Sequence, residues 1–97
     1  MKKLTIILPV YNGSASIERC LKSVFKQNYP NLEIIIVNDG STDNSEEIIS
    51  NIIEKAKRED TIYIHKENSG VADTRNYAIS IATGEYITFI DQDDIYA

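Results

Sequence analysis

Four short apolar runs, separated by three stretches of helical periodicity, leave few folds open to this sequence. Leu4 to Val10 and Leu32 to Val37 are nearly uninterrupted and rich in β-branched residues, which suits strands covered on both faces. Between them Ile17, Cys20, Leu21, Val24 and Phe25 recur at i, i+3, i+4, i+7 and i+8 and so gather on one stripe of a helix. Ser14 or Ser16 stands where a hydroxyl caps that helix, and Asn28-Tyr29-Pro30-Asn31 ends it.

The same alternation continues. Thr42 or Asp43 opens a second helix with Ile48, Ile49, Ile52, Ile53 and Ala56 as its stripe, and Lys55, Lys57 and Arg58 in a last turn where cations suit the helix dipole. Thr61 to Ile64 reads as a short third strand. Ser69 is placed to cap a third helix carrying Val71, Ala72, Ala78, Ile79 and Ala82, and Gly84 is expected to stop it as a left-handed residue. Tyr86 to Ile90 is the fourth strand. Strands alternating with single helices imply parallel pairing through right-handed crossovers. The expectation is a Rossmann-like three-layer α/β/α sandwich with a mainly parallel sheet in spatial order 3-2-1-4. No repeat or linker divides residues 1-97, which read as one unit. Asp91-Gln92-Asp93-Asp94-Ile95-Tyr96-Ala97 follows the fourth strand so closely that the domain is expected to be truncated.

Composition excludes several classes. A net charge of -5 with scattered Lys and Arg does not make a phosphate-binding surface, so no nucleic acid is expected as a partner. Cys20, the single cysteine, forms no internal disulfide, and the amino terminus is too short in apolar residues for a secretory signal. No stretch approaches the roughly 20 apolar residues that cross a bilayer. The expected location is cytoplasmic, with peripheral attachment at the inner face of the membrane arising only through a partner or a segment outside this sequence.

In an open parallel sheet the ligand crevice lies beyond the carboxyl ends of the strands, where helix N-termini converge. Here those ends carry Tyr11-Asn12-Gly13, Asn38-Asp39-Gly40-Ser41-Thr42-Asp43 and Asp91-Gln92-Asp93-Asp94. Tyr11, Asp39 and Asp91 are therefore expected to meet at one sheet edge. Asp91 and Asp93 offer hard oxygen ligands that suit Mg²⁺ or Mn²⁺, with strand alternation turning Asp94 elsewhere, whereas an isolated acidic run is more often a solvated loop. Asp39 is a hydrogen-bond acceptor placed at a strand end for a ligand, or else an Asx-turn; Asp43 reads as a helix cap. Tyr11 either stacks on a base or packs. Arg75 reaches the base or phosphates through its fork of donors, or pairs with Asp73 or a sheet-end carboxylate. His65 lacks a second His or Cys for zinc and reads as a loop residue, and Cys20 as a small core residue.

Leu8-Pro9-Val10-Tyr11-Asn12, Val37-Asn38-Asp39-Gly40-Ser41-Thr42-Asp43, Asn68-Ser69-Gly70-Val71-Ala72-Asp73-Thr74-Arg75-Asn76 and Asp91-Gln92-Asp93-Asp94 together resemble the successive signatures of family 2 glycosyltransferases. The resemblance implies a GT-A fold, a nucleoside diphosphate sugar donor, expected to be UDP-linked, an acceptor glycan or lipid-linked glycan, a divalent cation and inversion at the anomeric carbon. It implies a hexosyltransferase of glycan or cell-surface polysaccharide synthesis. It further implies Pro9, Tyr11, Asp39, Arg75, Asp91 and Gln92 as nucleotide-binding residues and Asp93 as the metal ligand, with Asp91 and Gln92 near the ribose or the metal waters. No residue here matches the family's catalytic base, so the chain is expected to be inactive alone, and its uncovered fourth strand is expected to drive self-association. The rivals are a nucleotidyltransferase, which would carry a glycine-rich basic loop after the first strand, and a non-catalytic nucleotide-binding module. A dinucleotide oxidoreductase is disfavoured because the first turn has one glycine where G-x-G-x-x-G needs three.

Overall fold

A computed structural model describes residues 2–95. Along the chain it forms β1 (Leu4–Val10), α1 (Ile17–Phe25), β2 (Leu32–Asp39), α2 (Ser45–Ala56), β3 (Thr61–Lys66), α3 (Val71–Ile81) and β4 (Tyr86–Phe89). The strands lie in the order β3-β2-β1-β4 and pair in parallel throughout, as the alternation of elements requires.

The uninterrupted apolar runs form the two central strands, and all of β2 is buried. Because successive side chains leave a strand on opposite faces, each run supplies two cores. Ile6, Leu8, Val10, Ile34 and Ile36 meet Ile17, Leu21 and Val24 of α1 and Ile49 of α2 on one face. Ile7, Ile35 and Val37 meet Ala78 of α3 on the other. Each large aliphatic side chain taken fully from water contributes about 1.5–3 kcal/mol, so the α1 and α2 face carries most of the hydrophobic stabilisation. The α3 layer is thinner: Ala78 is buried, whereas Val71 and Ile79, expected in its stripe, are exposed. At the sheet edge Tyr86, Ile87 and Phe89 of β4 are exposed as well.

Several expected boundaries shift for local reasons. Asn44 precedes α2, and Asp43, one residue earlier, accepts the Ser45 N–H at 2.9 Å. Gly70 (φ 98°), not Ser69, is the N-cap of α3. At the end of α2 only Lys55 is a basic residue of the last turn; Lys57 is the left-handed cap (φ 52°), and Arg58 turns back to Asp60 and the Phe25 and Gln27 carbonyls. His65 belongs to β3 and stands 2.7 Å from Glu46 of α2. Gly84 is not left-handed, because α3 ends in an extended Ala82. Its missing side chain serves close approach instead: a Cβ there would lie 2.8 Å from the Thr5 backbone nitrogen and collide with the Thr5 hydroxyl.

Candidate functional site at the carboxyl edge of the sheet

A cavity of about 360 Å³ opens where β1, β2 and β4 end, lined among others by Pro9, Tyr11, Asp39, Asn68, Thr74, Asp91, Gln92 and Asp93. Five of the six residues expected at a nucleotide site, and the expected metal ligand, thus share one cavity. Arg75 is the exception. Its guanidinium lies over the Phe89 ring, 5.4 Å from the centroid, and its Nη2 is 3.6 Å from Asp91 Oδ1, so it stands beside the cavity and faces a sheet-end carboxylate.

Asp39 is placed by strand register. In the parallel β2 and β3 pair it lies opposite Lys66, whose ammonium is 2.8 Å from Asp39 Oδ1. The same oxygen accepts the Ser69 N–H at 2.9 Å, while Oδ2 accepts the Gly70 N–H at 3.0 Å and the Asn68 carboxamide at 3.3 Å. Burial pushes this carboxyl up, but Lys66, the Ser69 and Gly70 N–H groups and the Thr74 hydroxyl outweigh it and hold the carboxyl below its ordinary value. Asp39 is therefore an ionised anchor for the segment that enters α3. Gly40, with φ 70°, lets that segment come close, since a Cβ would sit 2.6 Å from the Asn68 nitrogen.

The acidic segment after β4 is a turn, closed by Asp94 N–H on the Asp91 carbonyl at 2.9 Å. It is the turn, not strand alternation, that directs Asp91 and Asp93 toward the cavity. Gln92 binds the Tyr11 backbone, and Asp93 Oδ1 accepts the Ser16 hydroxyl at 2.8 Å. That explains why Ser16, the N-cap residue of α1, makes no side-chain capping bond. Asp91 and Asp93 are both exposed. Among the described residues no three His, Cys, Asp or Glu side chains are arranged to hold a metal ion by themselves. The donor set still suits Mg²⁺ or Mn²⁺, which bind through one or two carboxylates and complete their shells with water and ligand phosphate. Burial pushes the Cys20 thiol up to about 11, with Asp94, Asp91 and Asp93 adding to the shift, so this cysteine stays protonated and is no nucleophile.

Opposite the acidic turn, Asn12 (φ 48°) accepts the Thr42 N–H at 2.8 Å while its own N–H donates to the Ser41 hydroxyl at 2.9 Å. Asp43 receives the Ser14 N–H at 3.1 Å. These bonds weld the loops after β1 and β2 into one rim. Sequence reasoning gave no role to Asn12, Lys66, Asn68 or Thr74. Lys66 was accessible in principle, since parallel register sets it beside Asp39; the other three are visible only once loops from distant strands meet.

Comparison with known proteins agrees with this architecture. The family described as Glycosyl transferase family 2 matches residues 5–97. Glycosyltransferase GlyA of Streptococcus pneumoniae serotype 4 is 45% identical over 95% of this chain and 13% of its own length. The mannosyltransferase PcManGT of Pyrobaculum calidifontis, solved with GDP-Man and Mn²⁺, superposes with a TM-score of 0.90 at 30% identity, over 98% of this chain and 28% of that one. S. aureus TarS, solved as residues 1-349 with UDP-GlcNAc, gives a TM-score of 0.82 at 32% identity, over 94% of this chain and 26% of that one. The chain spans between 13% and 38% of the length of its first curated relatives.

Proposed function

The chain belongs to glycosyl transferase family 2 and has the GT-A fold, and from that premise we propose that it binds the nucleoside diphosphate of a sugar donor in a transferase acting on an acceptor hydroxyl. The observation that carries the reading is the shared cavity, which brings Tyr11, Asp39, Asp91, Gln92 and Asp93 together from three strand ends. The base lies at the Asp39 end, against Tyr11 and Pro9, and the diphosphate lies toward Asp91 and Asp93. Uracil is the base proposed, with guanine the measured competitor, since the solved neighbours carry nucleotides of both kinds.

Asp93 is assigned as the residue that holds a divalent cation. Asp91 faces Arg75, while the contact made by Asp93 is a neutral hydroxyl. A cation there supplies positive charge against the diphosphate leaving group. The protein's own part is positional. Arg75 adds a fixed positive charge beside Asp91, Gln92 sets the Tyr11 backbone, and Asp39 orders the entrance to α3. In the transfer itself, the acceptor oxygen attacks the anomeric carbon from the face opposite the diphosphate, the carbon to phosphate-oxygen bond breaks, and the electron pair leaves on the diphosphate, so configuration inverts. The transferred group is proposed to be a hexose, and the acceptor a glycan or lipid-linked glycan of surface polysaccharide synthesis. No residue of this chain is assigned the proton abstraction. Peripheral attachment at the inner face of the membrane is part of the proposal; no helix among the described residues is long and apolar enough to cross it.

Chemical-shift mapping with UDP and Mg²⁺ tests the assignment. Shifts concentrated on Tyr11, Asp39, Gly70 and Gln92 are expected. Absence of binding by both UDP and GDP, or shifts centred on the α1 and α2 face, would refute it.

A further inference from the structure

One hydrogen bond at the acidic turn does more than close it. Ser16 stands at the N-cap of α1, where a serine oxygen ordinarily takes an N–H of the first turn, and makes no such bond. Its hydroxyl donates to Asp93 Oδ1 at 2.8 Å instead. The backbone that carries this hydroxyl is held on both sides: the Ser16 N–H closes on the Gly13 carbonyl at 3.0 Å, and the Ser16 carbonyl accepts the Cys20 N–H at 3.1 Å. Cys20, one helical turn further on, directs its thiol at the Asp91 carbonyl at 3.5 Å. Helix α1 thus grips the acidic turn at two points, and the hydroxyl has little freedom to leave Asp93.

That bond makes the two oxygens of Asp93 unequal. Oδ1 carries the serine donor, whereas no hydrogen bond from the described residues reaches Oδ2. A cation held through both oxygens would force Oδ1 to give up a charge-assisted hydrogen bond that a fixed backbone maintains, and a cation held through Oδ2 alone would not. The two modes suit different ions. Mg²⁺ is small and demands a near-octahedral shell with few carboxylates and several waters, while Ca²⁺ is larger, takes more oxygens and accepts a carboxylate through both. Since the two ions carry the same charge, charge alone does not separate them, and coordination geometry decides.

Resting on the donor-site reading above, we propose that Ser16 is a positioning residue for the cation: its hydroxyl restricts Asp93 to ligation through Oδ2 alone and thereby makes the site favour Mg²⁺ over Ca²⁺. It acts through the ligand rather than on the cation, as the hydrogen-bonded partners of metal ligands commonly do. Removing the hydroxyl leaves the carboxylate and its charge in place but frees it to turn both oxygens to a larger ion.

The test titrates UDP into the unmodified chain, Ser16→Ala and Ser16→Thr, each in Mg²⁺, in Ca²⁺ at the same saturating concentration and in EDTA, and records the ligand-free melting temperature of each. The quantity read is the ratio of UDP affinity in Mg²⁺ to that in Ca²⁺. For the unmodified chain a ratio of about tenfold is expected, the low end of what the partners of metal ligands contribute. In Ser16→Ala the ratio should fall to within about twofold of unity on the same scale, through weaker binding in Mg²⁺ and held or stronger binding in Ca²⁺. Its affinity in EDTA and its melting temperature should change little, because Ser16 makes no side-chain capping bond. Ser16→Thr keeps the hydroxyl and should keep the ratio. Metal-dependent UDP binding with a ratio near unity in the unmodified chain, or with the same ratio in Ser16→Ala, overturns the inference and leaves the donor site standing. Equal weakening in both ions, or a fall in melting temperature that accompanies the loss, marks the contact as structural and likewise overturns it. Failure of the unmodified chain to bind UDP in any of the three media overturns the donor-site reading and this inference with it.

Discussion

The carboxamide of Gln92 holds the backbone of Tyr11 at both ends, accepting its N–H at 2.9 Å and donating to its carbonyl at 3.0 Å. The pairing of β1 with β4 ends at Ile7 and Phe89. Beyond that point the side chain of Gln92 takes up the role of a strand partner, satisfying a donor and an acceptor that β4 no longer reaches. One wall of the cavity thus depends on a side chain that can both give and receive.

Glutamate cannot do both. Gln92→Glu should lose the bond to the Tyr11 carbonyl and set a negative oxygen against it, whereas Gln92→Ala only removes two exposed bonds, together about 1–2 kcal/mol. At neutral pH the glutamate variant should therefore melt lower than the alanine variant and bind UDP more weakly. Acidification that protonates the new carboxyl should reverse that order. Thermal melts and UDP titrations at two pH values check it, and a glutamate variant equal to the unmodified chain throughout would count against the clamp.

At the opposite end of the sheet, Gly84 fits against Thr5. Its N–H donates to the Thr5 hydroxyl at 3.0 Å, and that hydroxyl donates to the buried Glu33 at 2.9 Å. Thr83 donates to the same carboxylate from its N–H at 2.9 Å and its hydroxyl at 3.0 Å. Gly84→Ala forces a methyl group into backbone rather than into a movable side-chain tip, so the strain cannot relax cheaply. Overpacking of this sort costs about 1–3 kcal/mol, and chemical denaturation should show at least that loss. A midpoint within error of the unmodified chain would mean that β4 shifts freely.

Acid should weaken the rim of the site. Slight burial pushes Asp43 up, but hydrogen bonds from Ser45 and Ser14 outweigh it and bring the carboxyl from its ordinary 3.8 to about 2. With the folded value below the unfolded one, the unfolded chain binds more protons between them, so stability rises with pH there. The contribution is whole above the ordinary value and is lost as pH falls through about 2. Asp43→Asn should flatten the dependence of melting temperature on pH across that window. It should also melt lower at neutral pH, because two separate oxygens of Asp43 accept the Ser45 and Ser14 N–H groups and asparagine has only one. Parallel curves for the two proteins would show that Asp43 is not the titrating group.

Much of the fold was legible because Leu4 to Val10 and Leu32 to Val37 are nearly uninterrupted apolar runs, largely buried on both faces, and such runs permit few other placements. Element order then dictated β3-β2-β1-β4, and with it the edge at which Tyr11, Asp39 and Asp91 meet. What escaped were the local bonds. Ser16 resembles a helix cap in sequence, yet its hydroxyl is drawn to Asp93 across 77 positions. Gly84 resembles a helix stop, yet it is a glycine because Thr5 is too close. Periodicity records which face of an element is buried; it does not record which loop will lie against its end. For the same reason Thr74, a polar residue at a helical position, gave no sign that its buried hydroxyl would face Asp39 at the cavity.

Metal and nucleotide should bind as a coupled pair, with Asp93 carrying the coupling. Bringing a diphosphate beside the carboxylates of Asp91 and Asp93 sets like charges together, and Arg75, 3.6 Å from Asp91, offsets one of them. The uncompensated carboxylate is Asp93, because the Ser16 hydroxyl orients one of its oxygens without neutralising it. A divalent cation between Asp93 and the diphosphate turns that repulsion into attraction, so each ligand raises the affinity for the other by the same factor. Coupling of about 1–3 kcal/mol corresponds to roughly a 5- to 150-fold difference in UDP affinity between Mn²⁺ and EDTA. Asp93→Ala should abolish that difference, with the affinity measured in EDTA held or raised because the repelling carboxylate is gone. Ser16→Ala frees the carboxylate without removing it and should retain part of the coupling, whereas Asp39→Ala should weaken UDP in both media and keep the Mn²⁺ dependence. Calorimetric titration of the four proteins decides the matter. Equal UDP affinity in Mn²⁺ and in EDTA for the unmodified chain, or full Mn²⁺ dependence in Asp93→Ala, would reduce the acidic turn to a structural closure of the strand that precedes it.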